Sequence, residues 1–241
     1  MPEPREPVGI YRLPYDALFD PVALAAIYHD MQHNYYWSDD FSPEYYIAQA
    51  TRGFIAVTDT FQGNSYMLPE IQFSYAVLHF DNLHISRHVQ RILRRDQPEL
   101  IITEEISPLT RALRRYHPTC WLNKRYEATL QAAHEAGKNF RLLGAYIPDA
   151  EGNPVAGEIG YVIGRTYTSL SGFSSKARRW RNYGTAQMVL LAQYLQAEGF
   201  AFWNLGQPYM QYKFDLGAVT YAREEFLALW FDAVGHTIKA P

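Results

Sequence analysis

The chain has 241 residues, of which 48% are hydrophobic and 20% are charged, and its formal net charge is −3. Such a chain can bury a core, so we expect one domain or one domain with a small satellite. The charge excludes a broadly basic nucleic-acid-binding protein, and the single cysteine, Cys120, excludes an internal disulfide and a multi-cysteine zinc site. The first residues lack a signal-peptide core, and no apolar run reaches the roughly 20 residues that span a bilayer. We therefore expect a cytoplasmic protein with no membrane partner and no metal site.

The N-terminal third alternates between helix and strand signals. A helix is predicted over residues 21–31, and a second helix begins at Ser42 and Pro43, an N-cap residue followed by a first-turn proline, and ends at Gly53. Strands are predicted over 54–57 and 74–80, and the polar, turn-rich residues 58–69 are predicted to form a loop. We place a domain boundary near residue 75, which gives a small N-terminal domain (1–75) and a larger domain (76–241).

Residues 83–95 predict a helix with arginines on one face. Ser86 can cap this helix, and four arginines follow at positions i, i+4, i+7 and i+8. They are Arg87, Arg91, Arg94 and Arg95. Two interpretations fit the pattern: an ordinary solvated helix face, and a surface that neutralises the phosphates of an RNA backbone.

The central part of the chain predicts further helices and strands. A strand is expected over 99–103, a helix from Ser107, and a longer amphipathic helix over 121–136 that Gly137 ends. Two strands over 140–148 and 154–164 are joined by a polar turn. The last predicted helix covers 222–234, with Phe226, Leu227 and Trp230 buried.

The stretch from Gly157 to Gly217 predicts a βαβ unit, in which a basic loop separates a strand region from a helix and a final strand. The loop carries Arg178, Arg179 and Arg181 just before a helix whose start is marked by Gly184 and Thr185. The free N–H groups and the helix dipole favour a phosphate or carboxylate there. A solvated basic turn beside a structural helix fits the same residues.

Several motifs, in the same order, carry a resemblance to the leucyl/phenylalanyl-tRNA–protein transferase family over about residues 37–234. In chain order they are 40–44 (DFSPE), Arg52 with Gly53, 83–87 (LHISR), Trp121, 134–137 (HEAG), Gly164 with Arg165, 171–174 (SGFS), Gln207, Gly217 with Ala218, Arg223 and Phe226. The resemblance implies an α+β fold, with an acetyltransferase-like (GNAT) mixed sheet flanked by helices and a small N-terminal α/β domain. It also implies that the arginine stripe faces tRNA, and that no cofactor is needed because aminoacyl-tRNA is already an activated ester.

The resemblance also implies the site residues. Gln207 is the expected catalytic residue, and the expected substrate-binding residues are Trp121, Leu170, Ser171, Phe173, Leu205 and Tyr212. The chain departs from the family pattern where chemistry is expected. Leu170 and Leu205 occupy positions where the family has carboxylates, and Tyr212 stands where it has a histidine. An amide such as that of Gln207 can orient an amine but is a poor base near neutral pH. Glu158 is a candidate to compensate and equally a candidate for a paired structural acid.

Three functions follow from these residues. The first is transfer of an amino acid from aminoacyl-tRNA to an amine acceptor, a protein N-terminus or a small molecule, with altered specificity and no DNA partner. The second is an acyltransferase that uses acetyl-CoA or another acyl-CoA, because Arg181, Gly184 and Ala186 fit the pyrophosphate loop by which GNAT enzymes resemble one another. The third is a non-catalytic tRNA binder, which the leucines at 170 and 205 suggest.

Overall fold

The N-terminal part of the chain consists of two helices and two small sheets. The computed structural model describes residues 10–117 and 120–235. The strands here are β1 (Tyr11–Arg12), β2 (Tyr36–Trp37), β3 (Ile55–Phe61) and β4 (Asn64–Glu70), and the helices are α1 (Pro21–His29) and α2 (Pro43–Thr51). Ser42 caps α2 as predicted, since its hydroxyl accepts a hydrogen bond from the amide of Tyr45 at 3.2 Å.

Strands β3 and β4 form an antiparallel hairpin, so the predicted loop over residues 58–69 was wrong. The two-residue turn consists of Gln62 and Gly63, both with positive φ (50° and 81°), as tight hairpin turns require. The outer half of the hairpin is exposed and therefore polar, which gives it the composition of a loop. The hairpin brings Glu70 back towards the body of the protein.

A seven-stranded mixed sheet organises the rest of the molecule. Its strands are β5 (Ser74–Leu78), β6 (Ile101–Thr103), β7 (Phe140–Pro148), β8 (Pro154–Ile163), β9 (Thr166–Ser174), β10 (Phe202–Gly206) and β11 (Val219–Ala222). Their order across the sheet is β11, β5, β10, β9, β8, β7, β6, and only the β9–β10 pair is parallel. The helices are α3 (Arg87–Arg95), α4 (Ser107–Tyr116), α5 (Lys124–Ala136), α6 (Tyr183–Ala197), α7 (Gln211–Asp215) and α8 (Arg223–Val234).

The βαβ unit predicted from the sequence is confirmed. It consists of β9, α6 and the parallel strand β10. Helix α6 begins after Asn182, which has a left-handed conformation (φ 67°), and Gly199 (φ 78°) follows its C-terminal end. The final helix, α8, is also confirmed, with Phe226, Leu227 and Trp230 buried.

Helices cover both faces of the large sheet and bury two cores. Alternate residues of a strand point to opposite faces, so Tyr161 lies in one core and Val162 in the other. The first core receives side chains from α2, α4, α5 and α8, and the second receives them from α3 and α6. This arrangement confirms the predicted α+β class with a mixed sheet flanked by helices.

Strand β5 connects the N-terminal part to the sheet. The predicted boundary between residues 75 and 76 falls inside this strand, which pairs with β10 and β11. Tyr75 stacks on Phe226 with ring centroids 3.7 Å apart, and the first core contains side chains from Leu13 to Ala233. The division into two domains stays a prediction.

Candidate active site

Gln207 lies directly after β10, where Gly206 turns the chain with a positive φ of 72°. Its side chain is half-buried, and Nε2 donates to Oε2 of Glu70 at 2.8 Å and to the hydroxyl of Tyr35 at 3.1 Å. Both hydrogens of the amide nitrogen are therefore used. Within the described residues no group donates to Oε1 of Gln207, so this oxygen can accept a hydrogen bond from a ligand.

Glu70 is a buried carboxylate that the sequence analysis missed. Its side chain is 4% exposed, and Oε1 accepts from Nδ2 of Asn34 at 2.8 Å while Gln72 Nε2 lies 3.5 Å from Oε2. Burial raises the pKa of Glu70 and the donated hydrogen bonds oppose that shift. No described lysine or arginine forms an ion pair with it. The carboxylate thus depends on amide and hydroxyl donors.

Two further groups complete this polar cluster. Burial and the neighbouring Glu70 carboxylate raise the pKa of Tyr35, which keeps its hydroxyl protonated and able to donate. Oε1 of Gln72 is buried without a hydrogen-bond partner among the described residues. A Cβ built on Gly206 would lie 3.7 Å from Nε2 of Gln72, so the turn that leads to Gln207 passes next to this side chain.

Lys213 on α7 fixes the main chain around Gln207. Its Nζ donates to the carbonyl oxygens of Leu205 and Gln207, each at 2.6 Å. Burial lowers the pKa of Lys213 to about 8, and the charge of Glu158 opposes the shift. Neither α7 nor its lysine was predicted, because a five-residue helix carries too little periodicity to detect.

Glu158 is buried on β8, and its carboxylate is hydrogen-bonded to a side chain of the neighbouring strand β9. Ser169 Oγ donates to its Oε1 at 2.6 Å, and Trp203 Nε1 donates to the same Oγ at 2.7 Å. Burial raises the pKa of Glu158 to about 7. No hydrogen bond joins Glu158 to Gln207, and its charge acts on Tyr212 and Lys213, so its role as a compensating acid or as a structural acid stays a prediction.

The predicted substrate-binding residues lie in different surroundings. Leu170 packs at the edge of the first core, whereas Leu205 is 3% exposed inside the second core. Phe173 is buried and stacks on Tyr116 with ring centroids 5.7 Å apart. Trp121 packs edge-on against Tyr126, Ser171 is half-buried on β9, and Tyr212 is 44% exposed. No hydrogen bond or ring contact within the described residues joins these side chains to that of Gln207, and their substrate roles stay predictions.

The arginine stripe on α3 forms an open basic pocket of about 580 Å³ that is lined by Arg87, Gln90, Arg91, Arg94 and Arg95. Ser86 caps the helix as predicted, and its Oγ accepts from the amide of Val89 at 3.4 Å. Arg95 forms a bidentate ion pair with Asp96 at 2.6 and 2.8 Å, and Arg94 donates to Gln90. Arg87, Arg91 and Arg94 form no ion pair with a described residue, since Gln90 is neutral, so Arg95 is the arginine of this stripe whose charge a described acid neutralises.

The basic loop before α6 is exposed. The side chains of Arg178, Arg179 and Arg181 all face solvent, and Asn182 provides no side-chain cap. The amide of Ala186 already donates to the carbonyl of Asn182, and a Cβ on Gly184 would meet Ser174 at 3.0 Å. Phosphate binding by Arg181, Gly184 and Ala186 stays a prediction. The main-chain amide of Ala186 is not free to donate to a phosphate, because it already donates to Asn182.

A family model described as leucyl/phenylalanyl-tRNA protein transferase matches residues 77–230. The chain belongs to this family. The match contains α3 and Gln207, whereas Glu70, Tyr35 and Asn34 precede it. The family description indicates an aminoacyltransferase, which agrees with the class expected from the motifs.

Other comparisons add little to this assignment. No curated protein matches the chain. A solved structure titled L-PGS from Bacillus licheniformis is 16% identical with a TM-score of 0.40, and the match covers 64% of this chain and 46% of that one. The C-terminal domain (DUF2156) of a putative lysylphosphatidylglycerol synthetase from Agrobacterium fabrum is 17% identical with a TM-score of 0.36, covering 69% and 52%. The chain thus spans about half the length of these two structures.

Among the described residues, no helix has the length and apolar character needed to cross a bilayer. The predicted cytoplasmic location and the absence of a membrane partner stay predictions.

Proposed function

We propose that this protein transfers an amino acid from aminoacyl-tRNA to an amine acceptor, either a protein N-terminus or a small molecule, with a specificity different from that of typical family members. The observation that carries the proposal is the free Oε1 of Gln207, held beside a buried carboxylate in a chain that matches the family model. The departures at Leu170, Leu205 and Tyr212 support a changed specificity.

The reaction needs few groups because the donor is an activated ester. The amine nitrogen forms a bond to the ester carbonyl carbon, the bond from that carbon to the tRNA ribose oxygen breaks, and the amine proton is transferred to the leaving oxygen. Oε1 of Gln207 can accept an N–H of the amine and so direct its lone pair at the carbonyl. Positioning of this kind supplies much of the rate of such a transfer, and no cofactor is required.

The α3 pocket is the proposed contact for the phosphates of the tRNA. Arg87 and Arg91 form no ion pair in the part of the chain that the structure describes, and guanidinium groups bind phosphate oxygens through two parallel hydrogen bonds. A basic face on a chain of net charge −3 concentrates nucleic-acid binding at one place. Binding of tRNA rather than DNA is part of the proposal.

The test is transfer of labelled amino acids from charged tRNAs to peptides with free N-termini and to small amines. We expect transfer by the wild type, a loss of at least about tenfold with Gln207→Ala, and little change with Gln211→Ala. Gln211 is a suitable control because it is exposed and its side chain donates to Asp215 on the same helix, away from Glu70 and Tyr35, which bind the side chain of Gln207. Absence of transfer from every aminoacyl-tRNA would reject the proposal.

Two other functions make different predictions. An acyl-CoA-dependent acyltransferase would use the exposed arginines before α6, and calorimetry with acetyl-CoA at millimolar concentration would detect binding that Arg181→Gln weakens. A non-catalytic binder would bind charged tRNA but would transfer nothing to any acceptor. The packing of Leu205 in the second core is the observation that favours this last function.

A further inference from the structure

We propose that Glu70 is a positioning residue for aminoacyl transfer, because its carboxylate holds the amide of Gln207 so that Oε1 faces the acceptor amine. This inference rests on the proposed function. Glu70 precedes the region matched by the family model and ends β4, whereas Gln207 follows β10.

The chemistry of the Gln207 amide determines which of its two ends faces Glu70. A primary amide donates only from nitrogen and accepts only at oxygen, while an ionised carboxylate can only accept. The 2.8 Å contact with Glu70 therefore requires the nitrogen of Gln207 on that side. Tyr35 receives the second hydrogen at 3.1 Å, and the oxygen is left for a ligand. A neutral group in place of the carboxylate would permit the reversed amide, whose N–H would donate to the lone pair of the amine and occupy the electrons needed for attack.

The carboxylate of Glu70 is held in one orientation. The carboxylate lies at the end of β4 and is buried, and Nδ2 of Asn34 holds its other oxygen at 2.8 Å. A carboxylate with several fixed donors cannot rotate freely, so it sets the direction of the Gln207 amide. Rigid support of this type keeps a reactive group within the few tenths of an ångström that transfer requires.

No other charged or titratable neighbour of Glu70 in the described chain is bonded to the amide of Gln207 in place of its carboxylate, apart from the hydroxyl of Tyr35. Arg223 is the nearby cation, but its guanidinium donates to main-chain carbonyls that include Ile71 and Gln72. Tyr35 and Tyr75 are the titratable neighbours, and both stay protonated because burial raises the pKa of each hydroxyl. Glu70 is therefore the ionisable acid that contacts the amide of Gln207 directly.

The role also accounts for the two leucines. Leu170 and Leu205 occupy positions where the resemblance places carboxylates, and Leu205 is fully enclosed by the second core. A carboxylate contributed by β4 restores an acidic group next to Gln207 without disturbing either leucine.

The test compares Glu70→Gln with Glu127→Gln. Glu127 is a partly buried control that pairs with Arg114 at 2.6 Å, away from Gln207. For Glu70→Gln we expect kcat to fall by about tenfold or more while KM for aminoacyl-tRNA changes less than about twofold, and for Glu127→Gln an unchanged kcat. Protonation of the acceptor amine should lower kcat at acid pH in both proteins, and the further loss caused by protonation of Glu70 should be present in the wild type and absent in Glu70→Gln. An unchanged kcat and pH profile in Glu70→Gln would overturn the inference.

A readout that needs no transfer separates this inference from the proposed function. In ¹⁵N-labelled protein, the side-chain amide resonances of Gln207 should shift as Glu70 titrates in the wild type and should not shift in Glu70→Gln. Absence of that shift in the wild type overturns the inference even if transfer occurs. If wild-type transfer is absent but the shift is seen, the proposed function fails and the contact stands. If Glu70→Gln does not fold, Tyr35→Phe, which removes the other partner of Nε2, should still lower kcat, and an unchanged kcat would overturn the inference.

Discussion

The ammonium group of Lys213 donates to the main-chain carbonyl of Gln207 at 2.6 Å, while the side chain of Gln207 is held separately by Glu70. One residue is thus fixed twice, through its main chain by α7 and through its side chain by β4. The second bond of Lys213, to the carbonyl of Leu205, extends this support to the end of β10. The buried lysine therefore helps to fix the turn that follows Gly206, together with the hydrogen bond from the amide of Gly206 to Oδ1 of Asn204.

Replacing Lys213 by methionine should weaken both stability and transfer. The two carbonyl oxygens lose a charged donor, and hydrogen bonds of this type contribute about 1.5–3 kcal/mol each, so we expect a loss of about 3–6 kcal/mol in the free energy of unfolding. Urea denaturation measures this change. The control is Lys138→Met, an exposed lysine whose replacement should leave stability nearly unchanged. Equal effects of the two variants would contradict the role given to Lys213.

The buried Glu158 should make stability fall as the pH rises from about 4.5 to about 7. Burial raises its pKa from 4.5 to about 7, so in this window the folded state keeps a proton that the unfolded state releases. The contribution of protonated Glu158 to the free energy of unfolding is complete below pH 4.5 and is lost as the pH passes 7. Its size is of the order of 3 kcal/mol. Urea unfolding of wild type and Glu158→Gln at pH 5 and pH 7 measures it. The wild type should lose more stability than the variant, and parallel curves would refute the assignment.

Much of the fold was predictable because its signals are local. The caps Ser42 and Ser86 and the βαβ unit each depend on residues close in sequence, and the structure confirms them. The candidate site was not predictable in the same way. Glu70 follows a hairpin with a polar outer half, and its contact with Gln207 joins residues 137 positions apart. The two-residue turn at Gln62 and Gly63 was the available signal for the hairpin, but no local pattern indicates which side chain meets Gln207.

Leu205→Ala should destabilise the protein more than Leu170→Ala. Leu205 is enclosed in the second core, so its truncation leaves a cavity that costs about 2–4 kcal/mol. Leu170 is half-buried at the edge of the first core, and the loss there should be about half as large or less. Guanidinium denaturation of both variants gives the comparison. A larger loss for Leu170→Ala would show that packing does not explain the leucine at 205.

Gly217→Ala should be among the most harmful small substitutions. Gly217 has a φ of +107°, and a Cβ there would overlap the main-chain carbonyl of Asn82. We expect a loss of more than about 3 kcal/mol, or no folding. Gly63→Ala is the matched control, since Gly63 also has positive φ but nothing lies within 4 Å, and left-handed strain alone costs about 1–2 kcal/mol. Thermal denaturation that ranks the two variants in the reverse order would contradict this.

The arginines of α3 should differ in their effect on tRNA binding. Each phosphate contact that is lost lowers the slope of log K against log salt by about 0.9, so Arg87→Gln with Arg91→Gln should lower it by about 2. Arg95→Gln should change it less, because Asp96 already neutralises that guanidinium. Binding of charged and uncharged tRNA at several salt concentrations measures the slopes. Equal slopes for the wild type and the double variant would exclude α3 as the phosphate contact.

The position of β5 in the sheet has a consequence for how such a protein diverges. The region matched by the family model begins at residue 77, inside a strand that pairs with β10 and β11, and it leaves out Glu70, whose carboxylate accepts a hydrogen bond from the amide of Gln207. A fragment of residues 77–230 would keep the arginines and the amide but would lack both Glu70 and most of β5. The region that the family model matches is thus shorter than the set of residues that surround Gln207. Substitutions in the first 76 residues can therefore change the surroundings of Gln207 without changing the matched region.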